Sequence, residues 1–118
     1  MSKGQLRIPD YLEHILEAIR RIRRYTKGMD ETTFRVDERT QDAVIRNIEI
    51  IGEATSNISH ADEHFVEQHS EVPWKLMRAM RNRVAHGYFE IDWEIVWKTI
   101  TKDLPGLEQQ LTELKRQL

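Results

Sequence analysis

The sequence predicts an all-α domain: an antiparallel four-helix bundle that pairs with a second copy of itself. Three observations carry that expectation. Apolar residues recur at three- and four-residue steps in four stretches of the chain. Proline, glycine and aspartate stand where helices start and stop. No run shows the two-residue alternation of a half-buried strand. The 118 residues read as a single domain over 1–118, with residues 1–7 polar and flexible.

The first stripe is Ile8, Leu12, Ile15, Ile19 and Ile22, with Pro9 placed as a first helical residue because its missing N–H needs no partner there. The helix should stop near Lys27-Gly28. Its outer face carries Arg20, Arg21, Arg23, Arg24 and Lys27, read first as a solvated face with cations favoured at a helix C-terminus, and second as a basic patch for RNA or an acidic partner. Residues 28–36 have turn chemistry in Gly28, Asp30, Thr32 and Thr33. A second helix starts at Asp37 or Thr40 and buries a wide face of Val44, Ile48, Ile51, Thr55 and Ile58, broadened by Ile45 and Ala54. Gly52 within it suggests close approach of another backbone, and Glu53 beside it faces a partner.

The pattern breaks from Asn57 to Val72. His60 and His64 are four apart, as two metal ligands on a helix would be, but no acid stands where a zinc protease places one. A solvated loop or short helix is the better reading, and no metal site is expected. Pro73 opens a third helix with Trp74, Leu76, Met77, Met80 and Val84 as its apolar side. Gly87 is a natural C-cap for it. Asp92 caps the last helix, whose seam runs Trp93, Trp97, Ile100, Leu104, Leu107, Leu111, Leu114 and Leu118, with a kink or restart expected at Pro105. This seam and the wide second face exceed what one small core requires, which suggests a homodimer.

With 39% hydrophobic and 32% charged residues the chain fits a globular protein with a charged surface. It has no cysteine, which excludes disulfides, thiol nucleophiles and zinc-thiolate sites and suggests a cytoplasmic protein. No apolar run approaches the roughly 20 residues of a membrane span. The net charge of -2 leaves nucleic-acid binding to local patches.

One such patch is Arg81-Asn82-Arg83-Val84-Ala85-His86-Gly87-Tyr88, extended backwards by Lys75 and Arg78, with no acid between Trp74 and Tyr88. Arginine holds a phosphate with two hydrogen bonds, and histidine titrates near neutrality. Together they suit metal-independent cleavage of RNA: His86 activates the ribose 2′-OH, Arg81 stabilises charge on the phosphate oxygens and Asn82 orients either. On a regular helix Arg81 and His86 lie roughly 140° apart, so they converge only if the last turn unwinds or two copies meet. A histidine before a terminal glycine can equally be a cap. Tyr88 alone reads as packing.

Arg81-Asn82-x-x-x-His86-x-Tyr88 resembles the R-x4-H-x-Y signature of HepT-type toxins of the HEPN superfamily. Ile51-Gly52-Glu53-Ala54, Asp92-x-x-x-Val96-Trp97 and Leu104-Pro105-x-Leu107 resemble accessory stretches of the same family, from about Ile8 to the C-terminus. The resemblance implies a helical domain acting as the toxin of a toxin–antitoxin pair, a metal-independent endoribonuclease with its cleft at a dimer interface. Arg81, His86 and Asn82 would be its catalytic set, with Arg78, Arg83, Lys75 and Glu53 as substrate- or phosphate-binding candidates. It further implies an MntA-like minimal nucleotidyltransferase antitoxin that transfers AMP from ATP to Tyr88, and no cofactor held by this chain. The competing reading is a non-catalytic nucleotide-binding module that serves as partner of such a transferase.

Overall fold

The computed structural model describes residues 3–85 and 91–118, and within them the side chains of 8–80, 82 and 91–118. The first apolar stripe forms α1 (Lys3–Tyr25), in which Leu12, Ile15, Leu16, Ile19 and Ile22 are fully buried. The helix begins at Lys3, ahead of the expected start, so Pro9 lies inside it. The residues before Pro9 include the good helix formers Lys3, Gln5, Leu6 and Arg7, which favour continuing the helix back past it. Gly28, at φ +81°, turns the chain after α1, a conformation that disfavours any residue with a Cβ.

The segment read as a turn-rich connection contains a helix, α2 (Glu31–Arg35). Its turn-type residues act as caps: Thr33 N–H donates to Asp30 Oδ1 at 2.8 Å, and Asp30 N–H donates to Thr33 Oγ1 at 3.0 Å. Phe34, fully buried, pins α2 against Trp93 and Trp97, at ring-centroid distances of 5.9 and 5.2 Å. Asp37 caps α3 (Glu38–Ala61) through Thr40 N–H at 3.0 Å. These hydrogen bonds stabilise the ionised caps and hold the carboxyls of Asp30 and Asp37 below their ordinary range.

The wide face of α3 is buried as expected at Val44, Ile48, Ile51, Ala54, Thr55 and Ile58, with Ile45 partly covered. The short-helix reading of the next segment holds: α4 (Glu63–Gln68) is capped by Asp62 and buries Phe65. α5 (Trp74–Ala85) follows Pro73 and packs on α3.

The last seam divides into α6 (Trp93–Lys98), a π-helical segment over Thr99–Asp103, and α7 (Leu104–Arg116). Asp92 caps α6 as expected, accepting from Glu94 and Ile95 N–H. The break arrives ahead of Pro105. Leu104 N–H donates to Thr99 O, five residues back, which widens the turn that must receive a proline ring and lacks its N–H. α7 runs antiparallel to α1, because Lys115 meets Glu13 near the start of α1 while Arg23 near its end pairs with the earlier Glu108.

Four long helical units therefore enclose one core, with α2 and α4 as short additions, and no strand occurs among the described residues. The seam residues Ile100, Leu104, Leu107, Leu111 and Leu114 are all buried within the single chain, and Leu118 alone is 57% exposed. Trp93 and Trp97 at the start of the seam, and Ile45 and Ile50 on α3, are only partly buried. No described helix is long and apolar enough to cross a membrane.

Candidate functional site

α5 is held by its apolar side. Trp74 is buried, donates its indole N–H to His69 O at 2.9 Å and packs near Phe65 of α4. Met77 and Met80 continue the anchor one and two turns on. With that side fixed against the core, the polar positions of α5 have a defined face. Lys75, Arg78 and Asn82 recur at three- and four-residue steps and form one row along it.

Lys75 and Asn82 are exposed, and Arg78 is half-buried. Arg78 Nη1 donates to the hydroxyl of Ser59 on α3 at 3.3 Å, a neutral partner that leaves the guanidinium charge uncompensated. Neither Lys75 nor Arg78 makes an ion pair among the described residues, so this row presents cationic charge to solvent.

Arg81 lies in α5, which ends at Ala85, the residue before His86. The side chains of Arg81 and Arg83, and His86, Gly87 and Tyr88 entirely, lie outside the described residues. Glu53 is exposed on α3 beside buried Ile51, Gly52 and Ala54. It stands roughly 240° around that helix from Ser59, so the residue that receives Arg78 and the candidate acid are on different faces. The structure brings Lys75, Arg78 and Asn82 onto one row and does not bring Glu53 to Arg78.

Two polar side chains escaped the sequence reading. Ser59 carries no motif, and its role as the partner of Arg78 depends on how α3 and α5 pack. Asn47 did leave a signal, a polar residue at a stripe position midway between Val44 and Ile51. It is buried, its Nδ2 donates to Ala43 O at 2.8 Å, and its Oδ1 has no hydrogen-bond partner among the described residues. A buried orphan acceptor typically costs about 1–3 kcal/mol.

The histidine pair weighed as metal ligands does not assemble a site. His60 sits in α3 with Nδ1 2.8 Å from Ser56 O, His64 sits in α4, and no group of three or more ligand residues occurs among the described residues.

The other basic face, at the end of α1, is organised differently. Arg20 lies 3.2 Å from Glu13 and 3.8 Å from Glu108, Arg21 lies 3.6 Å from Glu17, and Arg23 pairs closely with Glu108. Hydrogen bonding from Lys115 at 2.7 Å, reinforced by the charges of Lys115 and Arg20, holds the Glu13 carboxyl below its ordinary range.

A family model described as ribonuclease HepT-like matches residues 15–114. The chain is 42% identical over 107 residues to a Thermococcus cleftensis protein named probable ribonuclease HepT, covering 91% of this chain and 94% of that one. It is 40% identical over 104 residues to a protein provisionally named an RNase in Caldanaerobacter subterraneus subsp. tengcongensis, covering 88% and 90%. A similarly named protein of Methanocaldococcus jannaschii is 36% identical over 104 residues, covering 88% and 84%. No solved structure matches the chain significantly. An all-α fold, a cation-rich α5 that leads into the arginine–histidine stretch, and matches spanning nearly the whole chain agree: this protein belongs to the HepT-like family of the HEPN superfamily.

Proposed function

We propose that the protein is a metal-independent endoribonuclease, the toxin of a toxin–antitoxin pair, acting as a homodimer on RNA. The observation that carries this reading is the acid-free cationic row of α5, running straight into Arg81-x4-His86 in a chain whose relatives are named as ribonucleases. A helix face with unpaired cations attracts a phosphodiester, and the residues that follow supply an acid–base group.

In the proposed step His86 takes the proton of a ribose 2′-OH. The 2′ oxygen then bonds to the adjacent phosphorus, and the 5′ oxygen leaves and takes up a proton. Arg81 stabilises the charge that builds on the phosphate oxygens, and Asn82 orients the substrate. Two copies facing one another would bring the two motifs to a shared cleft. Lys75, Arg78 and Arg83 would hold the flanking phosphates, and the placement of Glu53 favours a contact to a partner over one to substrate.

Control would come from a minimal nucleotidyltransferase that uses ATP. The Tyr88 hydroxyl attacks the α-phosphorus, pyrophosphate leaves, and the AMP ester on Tyr88 stands two residues from His86, where its phosphate competes with RNA for the same cations. The family resemblance supports this, as does the position of Tyr88 beside the acid-free row.

The test is cleavage of RNA in EDTA. Wild type cuts, His86→Ala does not, and Tyr88→Phe cuts while taking no AMP from the transferase. Failure of wild type to cut, with nucleotide binding retained by both wild type and His86→Ala, would instead establish the binding-module alternative.

A further inference from the structure

The basic end of α1 takes no part in the proposed cleft. Arg20, Arg23, Arg24 and Lys27 recur at three-, one- and three-residue steps, a single row of cations about 10 Å long. With Glu108 of α7 they line an open groove of about 420 Å³, four cations around one carboxylate. Through Arg23 and Glu108 the groove continues into a second hollow of about 470 Å³ that reaches Arg116. Glu108 holds Arg20 and Arg23, whereas Arg24 only covers the Tyr25 ring at 5.6 Å and Lys27 makes no ion pair among the described residues. The positive charge left over is local, since the whole chain carries -2.

We infer that this groove docks the phosphate backbone of single-stranded RNA, a second contact on the substrate made by residues outside the arginine–histidine stretch. The inference rests on the ribonuclease reading for its occupant. A straight row of guanidinium and ammonium groups matches a linear polyanion. Backbone contacts of this kind position RNA without reading its sequence. Carboxylates limit the site, because Glu108 occupies Arg23 and Glu13 with Glu108 occupies Arg20, two of the four cations that line it.

Two substitutions of opposite sign test this in the full chain, on a His86→Ala background that leaves RNA intact, with a labelled uridine 20-mer as probe. Arg24→Gln with Lys27→Gln should weaken binding about tenfold near 0.1 M salt and flatten the slope of log K against log salt by about 1.4, two backbone contacts at about 0.7 each. Glu108→Gln should free Arg23, while Arg20 stays with Glu13, and so tighten binding and steepen the slope. Unchanged slopes in both variants overturn the proposal. So does a fall in the thermal midpoint of the double variant without any change in RNA binding, the signature of cations that serve only the helix end. Loss of binding to phosphatidylserine vesicles with RNA binding unaltered would also overturn it and assign the groove to a membrane surface. A wild type that fails to cleave while the binding slopes shift as stated removes the ribonuclease reading and leaves the docking groove standing. A wild type that cleaves with unshifted slopes removes the groove alone.

Discussion

The two basic helix faces of this protein look alike in the sequence and differ in the fold. The end of α1 with the turn after it carries five cations, and α5 carries four between Lys75 and Arg83. On α1, Arg20, Arg21 and Arg23 are held by Glu13, Glu17 and Glu108. On α5, Lys75 stands free of ion pairs among the described residues, and Arg78 meets a hydroxyl. The lesson is that a count of cations overstates the charge available to a ligand wherever neighbouring helices supply carboxylates. The α1 face is mostly a structural lattice with two cations to spare, whereas the described part of the α5 face is cationic without compensation.

The sharpest way to break this comparison is catalytic. Arg81→Ala should lower RNA cleavage about 10²- to 10³-fold, the loss typical of removing a transition-state charge partner. Arg21→Ala, which removes a cation already spent on Glu17, should leave cleavage within about twofold. Equal losses in a timed cleavage assay would mean that pairing does not decide which cations matter.

The next effect concerns what holds the α1–α7 seam. Leu111, fully buried at that seam, should cost about 2–5 kcal/mol when replaced by alanine, measured by urea unfolding. Lys115→Ala, which removes an ion pair whose side chains are 37% and 42% exposed, should cost at most about 1 kcal/mol. A reversal of that order would show the lattice to be the main adhesive.

Smaller again, Arg78→Ala should weaken RNA binding roughly threefold to tenfold with little change in the unfolding midpoint, because it gives up one long bond to Ser59 and one backbone contact. A large drop in midpoint would recast Arg78 as a clasp between α3 and α5.

The smallest effect is set by pH. Glu13 has a depressed folded pKa, so its pairing stabilises the fold above the ordinary carboxylate range and is lost as pH falls through the lower folded value. Between pH 6 and 3 wild type should therefore lose more stability than Glu13→Gln, by under about 1 kcal/mol given the exposure of both partners. Parallel melting curves for the two proteins would contradict this.

Legibility in the sequence followed the range of the forces involved. The stripes of α1, α3 and α7 and the caps at Asp37 and Asp92 were readable because burial at helical period and capping are properties of a few neighbouring residues. α2 was not, since its Asp30 and Thr33 have the same signature in a turn, and Phe34 becomes a core residue only when Trp93 and Trp97 arrive from the far end of the chain. The π segment was half readable: Pro105 announced a disruption, but its placement over Thr99–Asp103 depends on keeping Ile100 and Leu104 buried together. Arg81, His86 and Tyr88 stood out as a motif, because residue types in a fixed order need no geometry to be recognised.

Periodicity and residue chemistry thus settle the helical class and most helix limits, and they nominate the proposed reactive set, because all of these depend on local order along the chain. Packing settles which of the described arginines remain available, which hydroxyl receives Arg78, and that the stretch of the seam from Ile100 to Leu114 is buried inside one subunit. Those outcomes depend on residues far apart in sequence, and a carboxylate neutralises only the cation that the fold places beside it.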